Sequence, residues 1–162
     1  MLGYNKYLLI WYIIWIIKIL FVCSVNKVIS PIIKSQADSL KNKEVELEVF
    51  PVIGQGLRGY LKNIPKLKKN ILTFKPDIIH FHYSFCGIIA SLAFKKQPIV
   101  VSLMGSDTHQ SKLMKSNIRY FANYRWAKTI VKSEDMKIRL GLNNAIILTN
   151  GVDINLFRSL DK

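Results

Sequence analysis

The chain has 162 residues, half of them hydrophobic, and its 24 lysines and arginines against 10 aspartates and glutamates give a net charge of +14. This composition excludes a globally disordered chain, and the length suits one domain with a buried core. The positive charge predicts an acidic partner, which could be an anionic lipid, a phosphorylated or diphosphate substrate, or nucleic acid.

The N-terminus is strongly apolar, since residues 7–17 read YLLIWYIIWII before Lys18 interrupts the run. A membrane-spanning helix needs about 20 apolar residues, which this run reaches only by including the next segment, KILFVCSV. We assign that segment to a short buried strand instead, because it is rich in β-branched residues. Residues 1–17 are then expected to be a hydrophobic anchor or signal-like segment, or non-native upstream sequence, and no small-residue cleavage site follows them.

Segments with strand and helix character alternate along the rest of the chain. In order, we predict strands at 18–25, 45–52, 77–82, 98–104, 128–132 and 145–148, helices at 31–43, 65–74, 85–95, 111–125 and between Ser133 and Gly141, and a turn-rich connection at 54–59. The strand at 45–52 alternates apolar and charged residues, which is typical of a position near a sheet edge. Strands separated by helices predict a Rossmann-like α/β domain, with a parallel sheet and helices on both faces.

Ligands in such sheets bind at the carboxyl ends of the strands, so polar residues that follow strands are the site candidates. They are Ser24–Asn26, His80–Ser84, Gly105–Asp107 and Ser133. The chain has neither the G-x-G-x-x-G dinucleotide fingerprint nor a G-x-x-x-x-G-K-[ST] phosphate loop. Their absence argues against an NAD enzyme and a P-loop phosphotransferase.

His80 and His82 are two residues apart and therefore lie on the same side of a strand. A metal site would need a third ligand, for which Asp107 and His109 are the candidates, and we predict no metal site. We expect His80 to be a buried, hydrogen-bonded histidine. His82 lies where the strand reaches the ligand edge, and an imidazole there can bond a substrate hydroxyl or phosphate and titrate near neutrality.

The segment LMGSDTH at 103–109 follows a strand without polar alternation. Gly105 permits a close backbone approach or a positive φ, while Ser106 and Asp107 offer a donor and an acceptor at the cleft. The same residues could instead cap the following segment, or do both.

Two predicted helices are strongly basic. Their cations are Lys62, Lys66, Lys68 and Lys69, then Lys112, Lys115, Arg119 and Arg125, with Tyr120, Phe121, Tyr124 and Trp126 among the later ones. A solvated helix face is one explanation. Basic helices with aromatic residues also suit an anionic membrane surface, and no helix-turn-helix, RNP or zinc pattern directs the charge to nucleic acid. We therefore expect a membrane surface and no nucleic acid.

Five segments in register resemble the N-terminal domain of the GT-B glycosyltransferases of family 4. They are KILFVCSV, KPDIIHFHYSFCGIIASLA, PIVVSLMGSD, VKSEDMKIRLGL and TNGVDINLF, and the resemblance covers residues 18–162. It implies a retaining transferase of two Rossmann-like domains that moves a sugar from a nucleotide-diphosphate donor to a hydroxyl without a metal. The N-terminal domain of this family mainly holds the acceptor, and the C-terminal domain holds the nucleotide sugar.

The resemblance also implies roles for particular residues. His82 matches the second histidine of the family's HxH segment, which faces the acceptor and the reaction centre, so we expect it to be catalytic. The other expected substrate contacts are Asn26, Tyr83, Ser84, Gly105, Ser106 and Asp107. Asn26 lies in the loop after the first strand, which here reads NKVIS rather than being glycine-rich.

We expect residues 18–162 to be the acceptor-binding half of a transferase at the cytoplasmic face of the membrane, acting on a cell-surface glycan or a lipid-linked acceptor. The donor-binding half is expected to be missing or a separate chain, leaving this chain without a cofactor and inactive by itself. The alternative is a non-catalytic α/β module that binds a partner chain or a membrane surface. The sequence does not specify the sugar, the acceptor or the linkage.

Overall fold

The computed structural model describes residues 16–25, 28–41, 43–54, 56–94 and 96–151. The elements are β1 (Ile17–Val25), α1 (Pro31–Lys41), β2 (Val45–Ile53), α2 (Gly56–Phe74), β3 (Ile78–His82), α3 (Ser84–Ala93), β4 (Ile99–Ser102), a 3-10 helix (Gly105–His109), α4 (Lys112–Tyr124), β5 (Lys128–Val131), α5 (Glu134–Leu140) and β6 (Ile146–Ile147). The strands form one parallel sheet in the order β2-β1-β3-β4-β5-β6. The predicted Rossmann-like α/β fold is therefore confirmed, with β2 at the sheet edge as expected.

The core lies on both faces of β1, which is an inner strand with β2 and β3 at its two edges and helices packed on each of its faces. Its central residues, Leu20 to Cys23, are at most 1% exposed. Leu20 and Val22 belong to the larger apolar cluster, which reaches α2, α3, α4 and α5. Phe21 and Cys23 belong to a smaller cluster with α1. The continuous apolar run after Lys18 is thus the central strand of a two-layered core.

Helix α2 begins at Gly56, so the predictions of a turn-rich connection over 54–59 and a helix beginning at 65 are wrong. Pro65 lies inside the helix on its exposed side. Proline has no N–H to donate to the Leu61 carbonyl, which can instead accept a hydrogen bond from water. A Cβ on Gly59 would lie 2.5 Å from the carbonyl carbon of Gly54. These glycines therefore allow the end of β2 to approach the helix closely.

The predicted ends of α5 are confirmed. The Ser133 hydroxyl accepts a 3.2 Å hydrogen bond from the Met136 amide, and Gly141 ends the helix at a φ of 65°. β1 begins at Ile17, one residue earlier than predicted. The rest of the apolar N-terminal run, residues 1–15, and residues 152–162 lie outside the described ranges. Among the described helices, none is long and apolar enough to cross a membrane.

Candidate functional site

The fold brings most of the predicted site residues to the carboxyl edge of the sheet. His82 ends β3, Tyr83 and Ser84 open α3, and Gly105–Asp107 follow β4. His82 is in register with Ser102 of the neighbouring β4. Asn26 lies outside the described residues, so its predicted contact stays a prediction.

The His82 side chain is 2% exposed and packs between two other rings. It stacks on His80 at 4.4 Å between centroids, and its centroid lies 4.7 Å from that of Phe21 in an edge-on arrangement. Within the described part of the chain, neither ring nitrogen has a hydrogen-bond partner. A buried polar group without a partner costs roughly 1–3 kcal/mol, so a hydrogen bond from a ligand to either nitrogen would recover free energy.

Burial is the main reason that the pKa of His82 falls to about 3, and the neighbouring His80 and Lys132 lower it further. The expectation that His82 titrates near neutrality is therefore wrong. At neutral pH its imidazole is uncharged, with one nitrogen able to donate a hydrogen bond and the other able to accept one.

His80 is the hydrogen-bonded histidine of the pair, as the sequence predicts. Its Nε2 lies 2.8 Å from the Ser102 hydroxyl, and its side chain is less buried than that of His82. Burial, followed by the charge of Lys132, lowers the pKa of His80 to about 4. The two histidines share a sheet face but differ in whether their polar atoms are already used.

Tyr83 turns the chain from β3 into α3 with a φ of 111°, a value rarely adopted by residues other than glycine. Its amide donates a 2.9 Å hydrogen bond to the Ser102 carbonyl, and its hydroxyl accepts one of 3.1 Å from Gln110. Strain of this kind costs about 1–3 kcal/mol and persists where the surroundings over-determine the conformation. The half-buried tyrosine is thereby fixed at the edge beside His82.

Ser84 and Asp107 meet beneath this edge, and both have no exposed surface. The Ser84 hydroxyl donates a 2.6 Å hydrogen bond to one Asp107 oxygen, and the Met104 amide donates one of 2.7 Å to the other. Burial raises the pKa of Asp107, and these hydrogen bonds oppose the rise. Because their hydrogen bonds are satisfied inside the protein, the geometry favours a positioning role over the direct substrate contact that we expected.

Gly105 and Ser106 form the exposed part of the edge. A Cβ on Gly105 would meet nothing within 4 Å, and its φ is not positive. The expected positive φ is therefore wrong, and no described part of the protein requires a glycine here, while the close approach of a ligand stays a prediction. The open space beside Ser106 is surface that a ligand could occupy.

No group of three metal-ligating side chains occurs among the residues that the structure places, and Asp107 is committed to Ser84 and Met104. Cys23 and Cys86 are buried free thiols, and burial raises their pKa values to about 11 and about 12. Neither is a thiolate at neutral pH, so neither is suited to act as a nucleophile.

Sequence reasoning missed Lys132, which follows β5 at this edge and is half-buried. Burial lowers the pKa of its ammonium group. The signal that could have found it is a lysine directly after an apolar strand, next to the Ser133 that we did single out.

Comparison with known families gives one match, to a model described as Glycosyl transferase 4-like, over residues 22–134. No curated protein sequence matches the chain.

Several solved structures share the fold. HepE of Anabaena, solved with UDP-glucose, is 19% identical with a TM-score of 0.63, over 89% of this chain and 46% of its own. UDP-GlcNAc 2-epimerase of Neisseria meningitidis, bound to UDP-GlcNAc, is 18% identical with a TM-score of 0.61, over 83% of this chain and 46% of its own. The lipopolysaccharide outer core galactosyltransferase WaaB in its apo form is 13% identical with a TM-score of 0.60, over 85% and 47%. The chain thus has the fold of a GT-B N-terminal domain and spans less than half the length of these proteins.

Proposed function

The chain belongs to the glycosyl transferase 4-like family, and on that basis we propose that it is the acceptor-binding half of a retaining glycosyltransferase. The complete enzyme moves a sugar from a nucleotide-diphosphate sugar to a hydroxyl of a cell-surface glycan or a lipid-linked acceptor. The observation that carries the proposal is His82, a buried histidine at the ligand edge whose two nitrogens have no partner within the described ranges.

His82 orients the acceptor hydroxyl in this proposal. A nitrogen with a pKa of about 3 is a weak base at neutral pH, so removal of a proton is not the role we assign to it. It can instead accept a hydrogen bond from the hydroxyl, or donate one to a neighbouring oxygen. Both nitrogens are enclosed by surrounding atoms, so contact requires those atoms to shift when the acceptor binds.

Tyr83, Gly105 and Ser106 complete the acceptor side. The exposed edge at Gly105 and Ser106 leaves room for a sugar ring, and the fixed Tyr83 forms one wall. Ser84 and Asp107 hold these two segments together from below. Asn26 remains a proposed contact from the loop after β1.

The donor half is proposed to be a second GT-B domain, either on a separate chain or in a longer form of this one. The support is length, because this chain spans less than half of the two-domain structures it resembles. The nucleotide sugar binds mainly to that second half, which also stabilises charge developing on the leaving diphosphate. These 162 residues alone are therefore proposed to be inactive and to hold no cofactor.

Membrane association is proposed from α2 and α4, which lie on the same face of the sheet with α3 between them and which we together call the cationic layer. Neither helix contains an aspartate or glutamate. Their exposed apolar side chains are Leu61, Leu72, Leu113, Tyr120 and Tyr124, whereas Phe121 and Trp126 are core residues. Cations beside exposed leucines and tyrosines suit the anionic cytoplasmic leaflet, where we place the protein.

The test is sugar transfer by the chain combined with a donor-binding half, using a panel of nucleotide-diphosphate sugars. We expect His82→Ala to abolish transfer while the protein stays folded by circular dichroism. His80→Gln is the matched control, since it changes the neighbouring ring but keeps an amide near Ser102. A near-normal rate of sugar transfer by His82→Ala would contradict the proposal.

A further inference from the structure

Lys132 lies on the same sheet face as the two histidines. β4 and β5 pair Ser102 with Ile130, and Ser102 is in turn paired with His82 of β3. Lys132 is the first residue after β5, and its charge contributes to the lowered pKa of both His80 and His82, so its side chain lies on their side of the sheet at the carboxyl edge. Lys132 thus extends the row of His82 and Ser102 towards the site.

The ammonium group of Lys132 has no hydrogen bond and no ion pair among the described residues, although the side chain is half-buried. The nearest carboxylates in sequence are Glu134 and Asp135, both exposed, and Asp135 is bonded to Arg139 at 2.8 Å. Asp107 is occupied by Ser84 and Met104. Because burial disfavours the charged ammonium group, an anionic ligand beside it would supply a counter-charge that no described carboxylate provides.

We propose that Lys132 and His82 form an oxyanion site at the carboxyl edge of the sheet, which selects an acceptor carrying a phosphate or a carboxylate. That the ligand is a sugar acceptor rests on the proposed function, whereas the binding of an anion rests only on the side chains of Lys132 and His82. His82 supplies one N–H donor from its neutral ring, and Lys132 supplies the charge. Both donors lack a partner in the described part of the chain, which distinguishes them from His80 and Asp107.

The test is NMR of the full chain at physiological salt, observing the Lys132 side chain and the His82 ring during titration with inorganic phosphate or with glucuronate. We expect saturable shifts at both residues. Saturation by phosphate identifies a phosphorylated acceptor, and saturation by glucuronate identifies an acidic sugar. Shifts that grow linearly, or that are absent with both probes, would overturn the proposal and indicate an adventitious ion only.

Lys132→Met is expected to weaken binding at least about tenfold, the lower end for a hydrogen bond to a charged group. Lys128→Met is the matched control, because it removes the same charge from the exposed amino end of the same strand and should leave binding unchanged. Lys132→Arg keeps the charge and should retain binding. Equal binding by Lys132→Met and Lys128→Met would also overturn the proposal.

This experiment separates the inference from the proposed function. If neither phosphate nor glucuronate binds, the transfer assay with His82→Ala still tests the proposed enzyme. If no transfer is detected, the phosphate titration still tests the oxyanion site formed by Lys132 and His82.

Discussion

His82 and Asp107 are both buried polar side chains at the carboxyl edge, and they differ in whether the described fold provides hydrogen-bond partners for their polar atoms. Asp107 accepts from the Ser84 hydroxyl and the Met104 amide, so its burial is compensated within the fold. His82 is almost as buried and has no such compensation within the described residues. We therefore assign positioning to Asp107 and substrate contact to His82.

Stability below pH 6.5 should depend on His82. An unfolded histidine titrates near 6.5, whereas burial holds the pKa of His82 at about 3 in the folded chain. Between these values only the unfolded chain binds the proton, so stability is complete above about pH 6.5 and falls as pH is lowered towards 3. At pH 5 the loss attributable to one such group is up to about 2 kcal/mol.

Urea unfolding of the wild type and His82→Phe at pH 7 and pH 5 measures this contribution. Phenylalanine keeps the aromatic packing against Phe21 and His80 but carries no titratable nitrogen. The variant should lose up to about 2 kcal/mol less stability over this interval than the wild type. The same pH dependence in both proteins would show that His82 does not stay neutral in the fold.

Among the elements, α2 shows where sequence patterns are insufficient. Its inward positions, Tyr60, Leu67 and Ile71, keep helical spacing across Pro65, but local glycine and proline signals argued for a turn. The deciding factor is tertiary, since Gly54 and Gly59 are in backbone contact and Asn63 donates to both the Ile53 and Gly59 carbonyls. Contacts of this kind between separate segments cannot be derived from periodicity.

Elements defined by burial were predictable. The strands β1, β3 and β4 could be predicted because their buried side chains form continuous apolar runs in the sequence. The ends of α5 could be predicted because Ser133 and Gly141 are typical capping residues. The site was predictable in position, because strand ends meet at one edge. The separate roles of the site residues could not be predicted. They depend on three-dimensional contacts, namely the pairing of Ser84 with Asp107 and the lack of a hydrogen-bond partner for the His82 nitrogens within the described residues.

Helix α3 packs against β4 through Gly87, which leads to a prediction at this scale. A Cβ on Gly87 would lie 2.7 Å from Val101 Cγ2 and 3.2 Å from the Trp126 ring. Alanine favours the helix by about 1 kcal/mol, while overpacking costs about 1–3 kcal/mol. The net expectation for Gly87→Ala in urea unfolding is a destabilisation of about 1 kcal/mol, and at most about 2 kcal/mol.

Gly105→Ala is the matched control, because the added methyl group would meet nothing within 4 Å. It should change stability by less than about 0.5 kcal/mol. If Gly87→Ala were as stable as Gly105→Ala, the close packing of α3 on β4 would be contradicted.

For the whole molecule, the charge of +14 is concentrated unevenly, since α2 and α4 have no acidic residue. The chain should bind vesicles that contain anionic lipid, less at high salt, and should not bind neutral vesicles. Replacing Lys62, Lys66 and Lys69 with glutamine removes one exposed stripe of α2. At about 1 kcal/mol for each lysine, binding should weaken by roughly two orders of magnitude in a vesicle co-sedimentation assay.

The control replaces Lys34, Lys41 and Lys43, which are exposed in or next to α1 on the other face of the sheet. It makes the same change in net charge. Equal weakening by both triple variants would mean that total charge, and not the cationic layer, determines binding.

We propose above that these residues form the acceptor half and that the nucleotide sugar binds mainly to another domain. The decisive experiment is titration of the 162-residue chain with UDP-glucose and UDP-GlcNAc, followed by protein-observed NMR. We expect small shifts at the carboxyl edge of the sheet that do not saturate at millimolar ligand. Saturable, micromolar binding of either nucleotide sugar by this chain alone would contradict it.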